Sequence, residues 1–128
     1  VTAVEDREFI EIAMATTLAE VYEGIENIFE RIAREVDMDL PSGAEWHKKL
    51  LAQMTERRAG RPPVLSQETA VLLGELLDFR HKVRNIYAEE LIYELIEAHA
   101  KTIHALFARV CADLDAFAAA LAQQDENA

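Results

Sequence analysis

Between Leu18 and Val36 the apolar residues Leu18, Val21, Tyr22, Ile25, Ile28, Phe29, Ile32 and Val36 recur at alternating steps of three and four. That spacing is the stripe of an amphipathic helix and does not fit the period-two surface of a strand. It predicts a helix from about Val4 to Glu35, slightly weakened at Gly24 and ended by Asp37 to Pro41. Ser42-Gly43-Ala44-Glu45 has the form of a capping box opening a short helix, Trp46 to about Arg57, with Trp46, Leu50 and Met54 on one side. Ala59-Gly60-Arg61-Pro62-Pro63 cannot be helical and reads as a stiff connector.

A third helix starts at Ser66, with Glu68 in its first turn and a core stripe of Leu72, Leu76, Phe79, Val83 and Ile86. A second stripe, one residue on, reads Leu73, Leu77, Arg80, Arg84 and Tyr87. An arc this wide needs partners on two sides, the bundle core on one and a second subunit on the other. The fourth helix is expected from Glu89 or Glu90 to about Ala122, facing inward with Leu91, Leu95, His99 or Ala98, Thr102, Leu106, Val110, Leu114, Phe117 and Leu121. No strand signal and no repeat are present. The expected fold is all-α, an antiparallel four-helix up-and-down bundle forming one domain over residues 1–122, with residues 123–128 as a frayed tail.

At 128 residues and 51% hydrophobic, the chain is long enough to bury a real core. Its one cysteine, Cys111, sits among Val110, Leu114 and Phe117 and reads as a packed thiol in a reducing compartment. No apolar run approaches a membrane span, and Glu5-Asp6-Arg7-Glu8 is unlike a signal peptide, so a cytoplasmic protein without a membrane partner is expected. A net charge of −11 argues against general nucleic-acid affinity. The charge is uneven, however: between His47 and Arg84 stand eight bases against four acids, while the remainder carries five bases and 20 acids. Such focusing suits a small phosphate site and not a long DNA duplex footprint.

The basic third ends in Phe79-Arg80-His81-Lys82-Val83-Arg84-Asn85-Ile86-Tyr87. On a helix Arg80, Arg84 and Tyr87 share one face, and His81 and Asn85 the next. Guanidinium binds phosphate bidentately, while imidazole or phenol can move or accept groups, so the cluster suits phosphate chemistry. A plain alternative is a solvated helix end whose cations favour the C-terminal dipole. Other chemistry is poorly supported. His47, His81, His99 and His104 are scattered with no Glu-x-x-His pair, so no metal is expected. Gly-rich phosphate loops and nucleophile elbows are absent, and no cofactor is expected. Trp46 reads as a core anchor. Glu89-Glu90 and Glu94-Glu97 read as solvated surface, and Glu26 and Glu30, near Arg31 and Arg34, as exposed ion-pair positions.

At this cluster the sequence resembles the HEPN superfamily, specifically the HepT-like ribonuclease toxins, whose signature is Arg-x-x-x-x-His-x-Tyr near a helix end. Arg80, four residues, Asn85, Ile86 and Tyr87 fill that frame, and His81 is the polar residue often found directly after the Arg. Trp46-His47-Lys48-Lys49-Leu50-Leu51, Arg61-Pro62-Pro63-Val64-Leu65-Ser66 and Glu89-Glu90-Leu91 extend the resemblance over most of residues 20 to 120. The resemblance implies a homodimer in which two signatures face each other to form one composite site. It implies metal-independent RNA cleavage by attack of the ribose 2′-hydroxyl on the adjacent phosphate. Arg80 would hold the phosphate with Arg84 and Lys82, and the His position would move a proton. The implied partner is a minimal nucleotidyltransferase antitoxin that transfers AMP to Tyr87.

The chain departs from the pattern at one place. Asn85 stands at the position of the signature His, and an amide exchanges no proton near neutral pH. Three readings are open: Asn85 is an inactivating change, His81 supplies the imidazole one turn earlier, or the fold binds RNA or a nucleotide without cutting.

Overall fold

The computed structural model describes the backbone of residues 3–85 and 93–127, and side chains of residues 6–84 and 93–127. Its helices are α1 (Ala3–Glu35), α2 (Trp46–Met54), α3 (Gln67–Asn85) and α4 (Tyr93–Asn127). They form an all-α bundle in which α1, α3 and α4 pack on one another and short α2 lies against α1 and α3.

The spacing of α1 explains its packing. Ala15, Leu18, Tyr22, Ile25, Phe29 and Ala33 are buried, a stripe that keeps one face of a straight helix inward. Ile28 and Val36, which the spacing placed on that stripe, fall off its edge and are exposed. The helix ends at a left-handed Met38 (φ 54°), which lets Asp39 N donate back to Ala33 O at 2.9 Å. The 36–45 connection then returns the chain along α1, so that α2 packs beside its second half.

The capping box expected at Ser42 does not form. Gly43 takes φ 96°, which leaves Glu45 at the N-cap of α2 with no side-chain cap bond. The helix also stops at Met54, short of Arg57, because Met54 O is taken by Val64 N (2.8 Å) and Leu65 N (3.0 Å) from the following connector. A tight turn precedes them, closed by paired Arg58 and Arg61 backbone bonds with Gly60 at φ 87°. Ser66 does cap α3: its Oγ accepts from Thr69 N at 3.1 Å, and its own N donates to Asp113 on α4.

The second stripe of α3 is the main revision. Leu73, Leu77 and Arg80 are buried inside this one chain, beside Leu76 and Phe79. Short α2 fills the seam that the sequence reading assigned to a second subunit, since Leu50, Leu51 and Met54 are buried there too. On α4 the buried residues are Ile96, Leu106, Val110 and Phe117; Thr102 instead faces out and bonds Ala98 O. The helix continues to Asn127, with Gln123–Asn127 exposed where a frayed tail was expected. The expected restart at Glu89 and Glu90, and Ile86 and Leu91, lie outside the described residues.

Candidate functional site

The last two turns of α3 carry the cluster. Arg80 is only 5% exposed, its guanidinium carbon 5.9 Å from the centre of the Tyr22 ring on α1. Its Nε is buried and has no hydrogen-bond partner among the described residues. One turn on, Arg84 faces the same helix and pairs loosely with Glu23 at 3.8 Å, half-exposed. Lys82 is exposed. The i, i+4 spacing puts Arg80 and Arg84 on one face of α3, and that face is turned to α1.

His81 points elsewhere. It lines a recess of about 140 Å³ between α3 and α2, together with His47, Lys48, Leu77, Asp78 and the 44–45 segment. The side chain of Asn85 and the whole of Tyr87 lie outside the described residues.

Three residues that sequence reasoning left out adjoin the cluster. Glu26, expected on an exposed face, is 2% exposed. Its carboxylate lies 2.7 Å from His47 Nδ1, and one turn earlier on α1 stands Tyr22. Burial, and then the negative charge of Glu26, push the Tyr22 phenol well above its ordinary range, against a weaker opposing pull from Arg80. Tyr22 therefore stays a proton donor. His47 stacks on Trp46, ring centres 3.7 Å apart, so the tryptophan both packs against the core and props the imidazole. A signal for this network existed in the sequence: Glu26 is the one acid set among the buried positions Leu18, Tyr22, Ile25, Phe29 and Ala33.

Part of the basic charge counted in the sequence is spent internally. The Arg61 side chain is wholly buried and bonds both oxygens of Asp37 and the carbonyls of Gln53, Glu56 and Pro62. Arg58 pairs with Asp39 at 2.9 Å and Glu56 at 3.1 Å. Burial works to raise the Asp37 carboxyl, but the bonds from Arg61 and Gln53 outweigh it and hold the group below the usual carboxylate range. Of the eight bases in this third, Lys48, Lys49, Arg57, Arg80, Lys82 and Arg84 are left, and the last three stand on the final turns of α3. Among the described residues no group of three or more His, Cys, Asp or Glu side chains is placed to hold a metal ion. No described helix is long and apolar enough to cross a membrane.

The site is thus a buried arginine with one unpartnered donor near the end of a helix in an all-α bundle. The sequence model of the family described as HepT-like protein matches residues 13–121, and the chain belongs to that family. Neither the curated proteins nor the solved structures contain a match to it.

Proposed function

We propose that this protein is the HepT-like toxin of a toxin–antitoxin pair, a metal-independent RNA endonuclease whose phosphate is held by Arg80. The observation that carries the reading is the Arg80 guanidinium, withdrawn from water and with a donor left unpaired. Leaving such a donor unsatisfied costs about 1–3 kcal/mol, which an entering phosphate oxygen would recover. Arg84, one turn on, shares its face and would take a neighbouring phosphate, while Lys82 adds exposed positive charge on another face of the same helix end. A second copy of the chain would complete the composite site. A minimal nucleotidyltransferase would silence it by moving AMP onto Tyr87, where the added phosphate competes for the same guanidiniums.

A second reading is favoured by Asn85 itself: a HepT-like protein that binds RNA or a nucleotide and serves as the nucleotidyltransferase's partner without cutting. Expression of the native chain, Asn85→His and Arg80→Ala, followed by growth and RNA integrity, separates the two. The toxin reading expects RNA loss that Arg80→Ala abolishes. Cutting by Asn85→His alone selects the non-cutting reading for the native chain. With a cognate nucleotidyltransferase, ATP and magnesium, mass spectrometry should find AMP on Tyr87; label on Tyr22 or Tyr93 would count against the modification.

A further inference from the structure

Glu26 is costly where it stands. A carboxylate withdrawn from water costs several kcal/mol, and a buried ion pair seldom repays that cost in stability. Its contact with His47 Nδ1, at 2.7 Å, points to what it does. A carboxylate on Nδ1 keeps a proton on that nitrogen and fixes the ring, leaving Nε2 as the basic atom. The imidazole is otherwise free to act, because His47 is 29% exposed and opens onto the recess it shares with His81 of the signature helix. One turn before Glu26 on the same helix stands Tyr22, whose ring faces Arg80 at 5.9 Å. Arg80 from α3 and the oriented imidazole from α2 thus meet neighbouring residues of α1, Tyr22 and Glu26.

We propose that His47, oriented by Glu26, is the proton-transfer residue of this site and takes the place of the imidazole missing at Asn85. The assignment rests on the RNA-cleavage reading above. Nε2 of His47 takes the proton of the ribose 2′-hydroxyl as the 2′-oxygen bonds to phosphorus. The bond from phosphorus to the 5′-oxygen breaks, its electron pair stays on that oxygen, and water supplies the proton. The products are a 2′,3′-cyclic phosphate and a 5′-hydroxyl, and the imidazolium returns its proton to solvent. Glu26 is a positioning residue that acts only through the imidazole.

The test uses the full chain with an RNA oligonucleotide in the presence of a chelator. His47→Asn places an amide N–H near the Nδ1 position, keeps the bond to Glu26 and removes the basic nitrogen. The expected result is a kcat at least ~100-fold lower, the usual scale of general acid–base catalysis, with KM and melting temperature unchanged. Glu26→Gln is the second variant. Its neutral amide replaces the carboxylate that holds the Nδ1 proton and, where its N–H faces Nδ1, moves the ring proton to Nε2, so kcat should fall while KM holds. A purely structural role would lower the melting temperature without this split. His47→Asn and Glu26→Gln proteins that cut at the native rate overturn the assignment and leave the Arg80 reading intact. A native chain that cuts no RNA also overturns it; if Asn85→His then cuts, only the role of His47 is lost. If neither protein cuts or binds RNA, the RNA reading falls with it.

Discussion

Arg61 shows how far a residue's type can mislead about its use. It stands in the most basic third of the chain, yet all of its guanidinium nitrogens are turned inward onto Asp37 and three carbonyls. With both side chains of the Arg61–Asp37 pair almost wholly buried, the pair joins the end of α1 to the connector after α2. Removing one member leaves an uncompensated buried charge, which costs about 3–5 kcal/mol. Arg61→Ala should therefore lower stability by that amount in urea unfolding, with little change in the denaturant slope. The pH dependence follows in sign. The folded Asp37 carboxyl titrates below its ordinary 3.8, so its contribution is complete above that pH and fades as the pH falls through the folded value. An Arg61→Ala protein as stable as the native one would show that the connector is held by something else.

The helices themselves were legible because each is a local pattern. The step of three and four in α1 survives as Ala15, Leu18, Tyr22, Ile25, Phe29 and Ala33, and Ser66 caps α3 with its own hydroxyl. The polar core was not legible, because its contacts join residues far apart in sequence. Glu26 meets His47 and Asp37 meets Arg61 across separations of 21 and 24 residues. The wide apolar arc of α3 needs partners on two sides, but periodicity carries no label saying whether a partner is α2 or another molecule. The α3–α4 seam gives a prediction of its own. His99 packs on Phe79 with ring centres 4.7 Å apart, and burial there lowers the imidazole below its ordinary 6.5, opposed by Glu75 and assisted by Lys82. Because the folded value lies below the unfolded one, this seam is fully stable above pH 6.5 and loses stability as the pH drops below it. His99→Gln should flatten that part of the melting-temperature profile. An unchanged acid slope in the variant would place the effect on another group.

At the scale of the whole molecule, the dimer proposed above needs a face other than the seam of α3 that α2 fills. The described surface offers one continuous apolar face, between the first half of α1 and the first half of α4. Phe9 (74% exposed), Ile10, Met14, Val21, Ile103 and Phe107 (51% exposed) line two adjoining grooves on it. Neither groove is lined by an acid, a lysine or an arginine, in a chain of net charge −11. Two such chains repel over most of their surfaces, and this face lets them approach without opposing like charges. Light scattering at micromolar concentration should give a dimer that strengthens as salt screens the net charge. Phe107→Glu, at a position already half in water, should leave the helical content and melting curve of the monomer unchanged while shifting the mass to one chain. A native monomer at that concentration would remove the composite site, and a Phe107→Glu protein that remains dimeric would move the interface to another face.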